Sequence, residues 1–211
     1  MASTLSTTTQ PPGSQPLCES LNTTLELCDL ARQVALHLET PSSLERITRE
    51  GEEVFRIKWM KQFEDLANEV IKTAAPKVQE RAAIAGVKIR ARKQRDATGG
   101  VLLVNAAMLS SRQDEYHILL PLPISEQAHN RVIHRIQELL PTLKPYAYTP
   151  ENIKLCLQSE ADREKREELA FVPDRIYVNF EAVRYGTRPP LRPFLMIPVF
   201  IVRATEEQHG A

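Results

Sequence analysis

The hydrophobic period of the chain changes at Gly86, and this limits the fold more than any other feature. Before Gly86, apolar side chains recur every three to four residues, as on one face of a helix. After it they alternate or run continuously, as in strands. The spacing therefore predicts an α+β protein: an N-terminal helical hairpin or bundle packed beside a mixed or antiparallel sheet that carries one or two further helices.

On the helical side, Leu21, Leu25, Cys28, Ala31, Val34 and Leu38 predict a helix that stops before Thr40-Pro41. Ser42 with Glu45 three residues later has the form of a reciprocal capping box. From there Ile47, Val54, Phe55, Trp59, Phe63, Leu66 and Val70 predict one long helix to about Ala75, with Pro76 as its end or a kink. A shorter helix, Lys77 to Ala85, closes at Gly86, a residue type suited to a C-terminal cap.

Beyond Gly86, Val87 to Arg92, Val101 to Val104 and His117 to Leu122 are expected strands. Ser125 caps an amphipathic helix with Val132, Ile133, Ile136, Leu139 and Leu140 on its core face. Thr149-Pro150-Glu151 has the form of another helix start. Strands are expected again around Ile176 to Ala182 and Phe194 to Val202, where Pro198 implies an edge or a bulge because it donates nothing to a ladder. Four regions follow: a disordered tail at 1–16, a helical region at 17–85, an α+β sheet region at 86–204 and a flexible terminus at 205–211.

Lys plus Arg and Asp plus Glu number 27 each, so no global field draws the chain to a polyanion or an anionic membrane. The longest strongly apolar run, Phe194 to Val202, is far below the roughly 20 residues of a spanning helix, and no membrane partner is expected. Met1 to Pro16 lacks the basic start and apolar middle of a secretory signal. Three cysteines, Cys18, Cys28 and Cys156, show no zinc-ligand spacing and fit reduced thiols in a cytoplasmic or otherwise intracellular protein.

Against this neutral background, Lys77 to Arg95 holds seven cations and one anion, Glu80. On a strand, Lys88, Arg90 and Arg92 share one face, with Lys93 and Arg95 in or near the following turn. Such a row suits a phosphate backbone, RNA over DNA, or else protects a sheet edge from association. Ile57 and Met60 widen the apolar arc of the long expected helix and point to a homo-oligomer interface there.

Chemistry has fewer footholds. No phosphate-cradling or nucleophile-elbow motif occurs, and the chain has only seven glycines. His129 and His134 stand five apart, so they cannot share a ligand across one helical turn. No catalytic residue, metal or cofactor is expected. The sequence reading is accordingly a non-enzymatic binding or assembly protein that engages RNA or another polyanion through the basic strand. A self-associating structural subunit without nucleic-acid binding is its alternative. A further alternative is an enzyme that uses His117, His129 or His134 with a carboxylate, and a pocket joining the two groups would favour it.

Overall fold

The computed structural model describes residues 15–38, 44–49, 52–57, 61–90, 99–103, 108–142, 152–190 and 192–203. These contain three helices and twelve strands, and every strand pairing is antiparallel. The α+β class is therefore correct. The distribution of elements before Gly86 is not as expected.

The first element is a strand, β1 (Cys18–Asn22), where the spacing predicted the beginning of a helix. Helix α1 (Leu25–His37) starts only after Thr24, whose Oγ1 accepts from Leu27 N–H at 3.1 Å. The long helix expected from Ser42 is replaced over its first part by a hairpin, β2 (Leu44–Arg49) and β3 (Glu52–Ile57). Strand burial explains the deceptive periodicity: Val54 faces one core while Phe55 and Ile57 face another, so a two-sided strand mimics a helical stripe. Residues 17–85 are thus not a purely helical region.

Helix α2 (Lys61–Ala85) then runs through Pro76 without ending. Pro76 and Lys72 are both exposed, so the lost hydrogen bond lies on the solvated side. The buried stripe of Phe63, Leu66, Val70, Ala74, Val78 and Ala82 continues unbroken past it. Gly86 ends the helix with φ of 65° and its N–H on Ala83 C=O at 3.2 Å.

The remaining elements are β4 (Val87–Ile89), β5 (Gly99–Leu103), β6 (Leu109–Ser110), β7 (Glu115–Pro121), α3 (Glu126–Leu139), β8 (Lys154–Ser159), β9 (Arg166–Ala170), β10 (Arg175–Asn179), β11 (Val183–Arg188) and β12 (Phe194–Arg203). An eight-stranded sheet has the order β1-β10-β7-β12-β5-β3-β2, with β4 also on β12; a four-stranded sheet has the order β6-β11-β8-β9. Ser125 caps α3 as expected, accepting from Ala128 N–H at 3.1 Å. The expected helix start at Thr149-Pro150-Glu151 lies outside the described residues.

Pro198 sits within the large sheet, opposite His117. On the other side of β12, β5 pairs with Phe194 to Met196 and β4 with Ile201 to Arg203. Pro198 falls in the interval between them, where its missing donor leaves no ladder bond unmade.

Side-chain alternation divides the interior into two cores. Tyr116, Ile118, Leu120, Ile176, Val178, Leu195 and Ile197 meet the three helices on one face of the large sheet. Leu119, Tyr177 and Phe194 meet Leu155, Leu157, Val183 and Tyr185 of the small sheet on the other. The result is three layers: helices, large sheet, small sheet. Among the described residues no helix is long and apolar enough to cross a membrane.

Candidate active site

Strand β7 carries Glu115 and His117 two residues apart, and the strand period turns both toward the small sheet. Glu115 Oε2 lies 3.1 Å from His117 Nε2. The other ring nitrogen, Nδ1, lies 2.7 Å from Tyr185 Oη, which β11 brings from the opposite sheet. The rings of His117 and Tyr185 meet edge to face at 5.7 Å. Three side chains from two sheets thus form one hydrogen-bonded chain in which every link is buried or nearly so, with side-chain exposures of 5% for His117 and 11% for Glu115.

Electrostatics fix the protons along it. Burial pushes the Tyr185 phenol well above its usual range, so the hydroxyl is protonated. That hydroxyl has Met196 Sδ at 3.1 Å as its second neighbour, but a thioether is a weak acceptor, and the proton belongs on the bond to Nδ1. His117 then carries its own proton on Nε2 and donates it to Glu115. This hydrogen bond is the chief reason the Glu115 carboxyl lies below its ordinary value. Partial burial opposes the shift, while the charge of Arg112 and a hydrogen bond from its backbone N–H add to it.

Glu115 also lines a cleft of about 660 Å³ at the end of the sandwich, where α2 gives way to β4 and β10 to β11. Val87, Tyr116, Phe180 and Ile201 wall it. Tyr116 and Phe180 are locked edge to face at 5.5 Å between centroids. The chain therefore runs from sealed interior to accessible space: Tyr185 is fully buried, His117 is in the middle and Glu115 is at the cleft. Among the described residues, no group of three or more His, Cys, Asp or Glu side chains is arranged to hold a metal ion.

Of the two sites expected from the sequence, the interface loses Ile57 to the core and the basic row lies largely outside the described residues. Ile57 is in β3, not on a helix, and is buried in the helix-side core at 1% exposure, so it offers no interface. Met60 lies outside the described residues, as do Arg92, Lys93 and Arg95. Strand β4 ends at Ile89, leaving Lys88 exposed on it. Arg90 sits beyond the strand with its guanidinium over the Phe200 ring at 4.3 Å. The continuous cationic row is thus not built by the described residues.

His134 is 79% exposed beside Glu138, and His129 is buried in α3; neither joins the cleft. The sequence signal for the site was Glu115-Tyr116-His117 at the start of an apolar strand, where period two aligns acid and base. Tyr185, sixty-eight residues from His117, left no such trace.

No protein-family model and no curated protein matches the chain. Solved structures do. One is a prolyl hydroxylase in complex with a hypoxia inducible factor oxygen degradation domain peptide fragment from Trichoplax adhaerens, with TM-score 0.49 and 11% identity, over 92% of this chain and 87% of that one. Another is a Pseudomonas putida prolyl-4-hydroxylase, with TM-score 0.46 and 10% identity, over 88% and 92%. Both are named as hydroxylases, which runs against the expectation of a non-enzymatic binding or assembly protein. At these TM-scores the likeness assigns this chain no reaction and no residue.

Proposed function

We propose that the chain is an enzyme whose active site is the cleft bordered by Glu115, and that its chemistry is proton abstraction from a bound substrate. The observation that carries this reading is the chain Tyr185–His117–Glu115, which ends in the cleft wall. A histidine and a carboxylate sharing a hydrogen bond at a cavity is the usual form of an acid–base site, and a shifted carboxyl there is a further pointer.

Glu115 is the catalytic residue, since it alone of the three reaches the cleft. It is ionised at neutral pH and accepts the proton that the substrate gives up. His117 and Tyr185 are positioning residues: the phenol sets the imidazole tautomer, and the imidazole N–H holds one carboxylate oxygen in place. A carboxyl held below its ordinary value is a modest base but a constant negative charge. Glu115 therefore suits substrates whose proton is already acidic or that carry positive charge, and a positioned base of this kind contributes about 10²–10⁴-fold.

A comparison of metabolite profiles tests this while the substrate is still unidentified. The intact protein and its Glu115→Gln variant are each incubated with a small-molecule cell extract, and metabolites are followed by mass spectrometry. Compounds consumed by the parent and spared by the variant are the expected result. Identical profiles for parent and variant overturn the reading.

A further inference from the structure

The cleft is chemically one-sided. Val87, Tyr116, Phe180 and Ile201 give it apolar walls, and the charged side chains among its described lining, Glu115 with Glu160 and Glu181, are all carboxylates. The lining itself holds no cation, although two bear on its carboxylates from outside: Lys165 lies 3.6 Å from Glu181, and the charge of Arg112 acts on Glu115. Arg81 pairs with Glu19 at 3.3 Å, its guanidinium 4.7 Å from the Phe180 ring centroid. Glu115 differs from the two other carboxylates because His117 fixes its position and ionisation, so a ligand meets a charge already desolvated on one side.

Resting on the active-site reading above, we infer that the substrates are organic amines: molecules with an apolar chain or ring and a protonated nitrogen. The nitrogen is held by Glu115, and the apolar part lies along Val87, Tyr116, Phe180 and Ile201. The physical requirement is complementarity. A carboxylate in a partly apolar cleft binds an ammonium through a charge-assisted hydrogen bond, gains about half as much from a neutral amide, and repels an anion. The volume of about 660 Å³ exceeds what a short amine fills and accommodates a substituted chain or an aromatic amine.

The experiment is a titration of the full chain at pH 7 with three probes of equal length, n-butylammonium, butyramide and butyrate, followed through backbone amide shifts of Gly86, Val87 and Ala182. Saturable shifts with n-butylammonium are expected, with butyramide and butyrate weaker by roughly tenfold or more. Glu115→Gln should abolish that preference while amides of the helix-side core stay unshifted. Ala182→Phe, which narrows the cleft without touching the Glu115 hydrogen bond, should weaken all probes together. Equal binding of butyramide or butyrate overturns the amine class and leaves the cleft as the site. No response to any probe overturns both.

Discussion

His117 Nδ1 and Tyr185 Oη lie 2.7 Å apart although the two residues belong to different sheets, so one hydrogen bond joins the layers of the sandwich at the point where the cleft begins. Its burial is what gives it weight. Tyr185 is fully buried, so removing the hydroxyl leaves Nδ1 without its donor and without water. Tyr185→Phe, which keeps the ring contact, should lower stability by about 1–3 kcal/mol. Urea unfolding at pH 7 with an unchanged slope would show this; an unchanged midpoint would assign the whole role to ring packing.

The acid dependence of stability should report the other half of the chain. Glu115 has a folded-state pKa below its unfolded value because His117 donates to it. A depressed carboxyl contributes stability that is fully present above the unfolded value, about 4.3, and is lost as pH falls through the folded one. His117→Phe removes the cause of the shift. The stability gap between parent and variant should therefore be larger at pH 7 than at pH 3, measured by urea midpoints at both values. A gap independent of pH would mean that His117 acts by packing alone.

Local structure is legible in the sequence where one residue decides the outcome. Ser125 and Gly86 are caps because a hydroxyl and a missing Cβ do the same work in any fold. What failed were elements decided by distant partners. Cys18 to Asn22 is a strand because β10 lies beside it, and Leu44–Arg49 and Glu52–Ile57 are paired strands because β5 completes their ladder. The candidate site shows the same division. Glu115 and His117 are aligned by strand period and could have been found, whereas Tyr185 reaches them only through the stacking of two sheets.

Gly86 gives a direct test of a local term. Its φ of 65° is a conformation that side-chain-bearing residues rarely adopt, while a Cβ there would meet nothing within 4 Å. The cost of Gly86→Ala is thus backbone strain without steric clash, about 1 kcal/mol. Since Gly86 also lines the cleft, the variant should keep the cleft's shape and its probe response. Thermal unfolding measures the first quantity. A loss well above about 2 kcal/mol, the upper end of that strain, would show that the α2–β4 junction is more constrained than its open surroundings imply.

Asn179 is the last group whose behaviour the fold predicts. It is completely buried, lies opposite His117 on one side and Cys18 on the other, and among the described residues neither its Oδ1 nor its Nδ2 has a hydrogen-bond partner. A buried amide in that state costs about 1–3 kcal/mol, and an apolar residue of similar shape removes the cost. Strand alternation places the side chain between the sheets, on the face that carries Tyr177, so Asn179→Leu meets an apolar surface. The variant should be more stable by roughly 1–2 kcal/mol, about 3–6 °C in Tm for a chain of this size. Calorimetry decides the sign. A lowered Tm would mean that the amide is satisfied in solution and supports His117 from the side, and the Glu115 acid response should then change in the same variant.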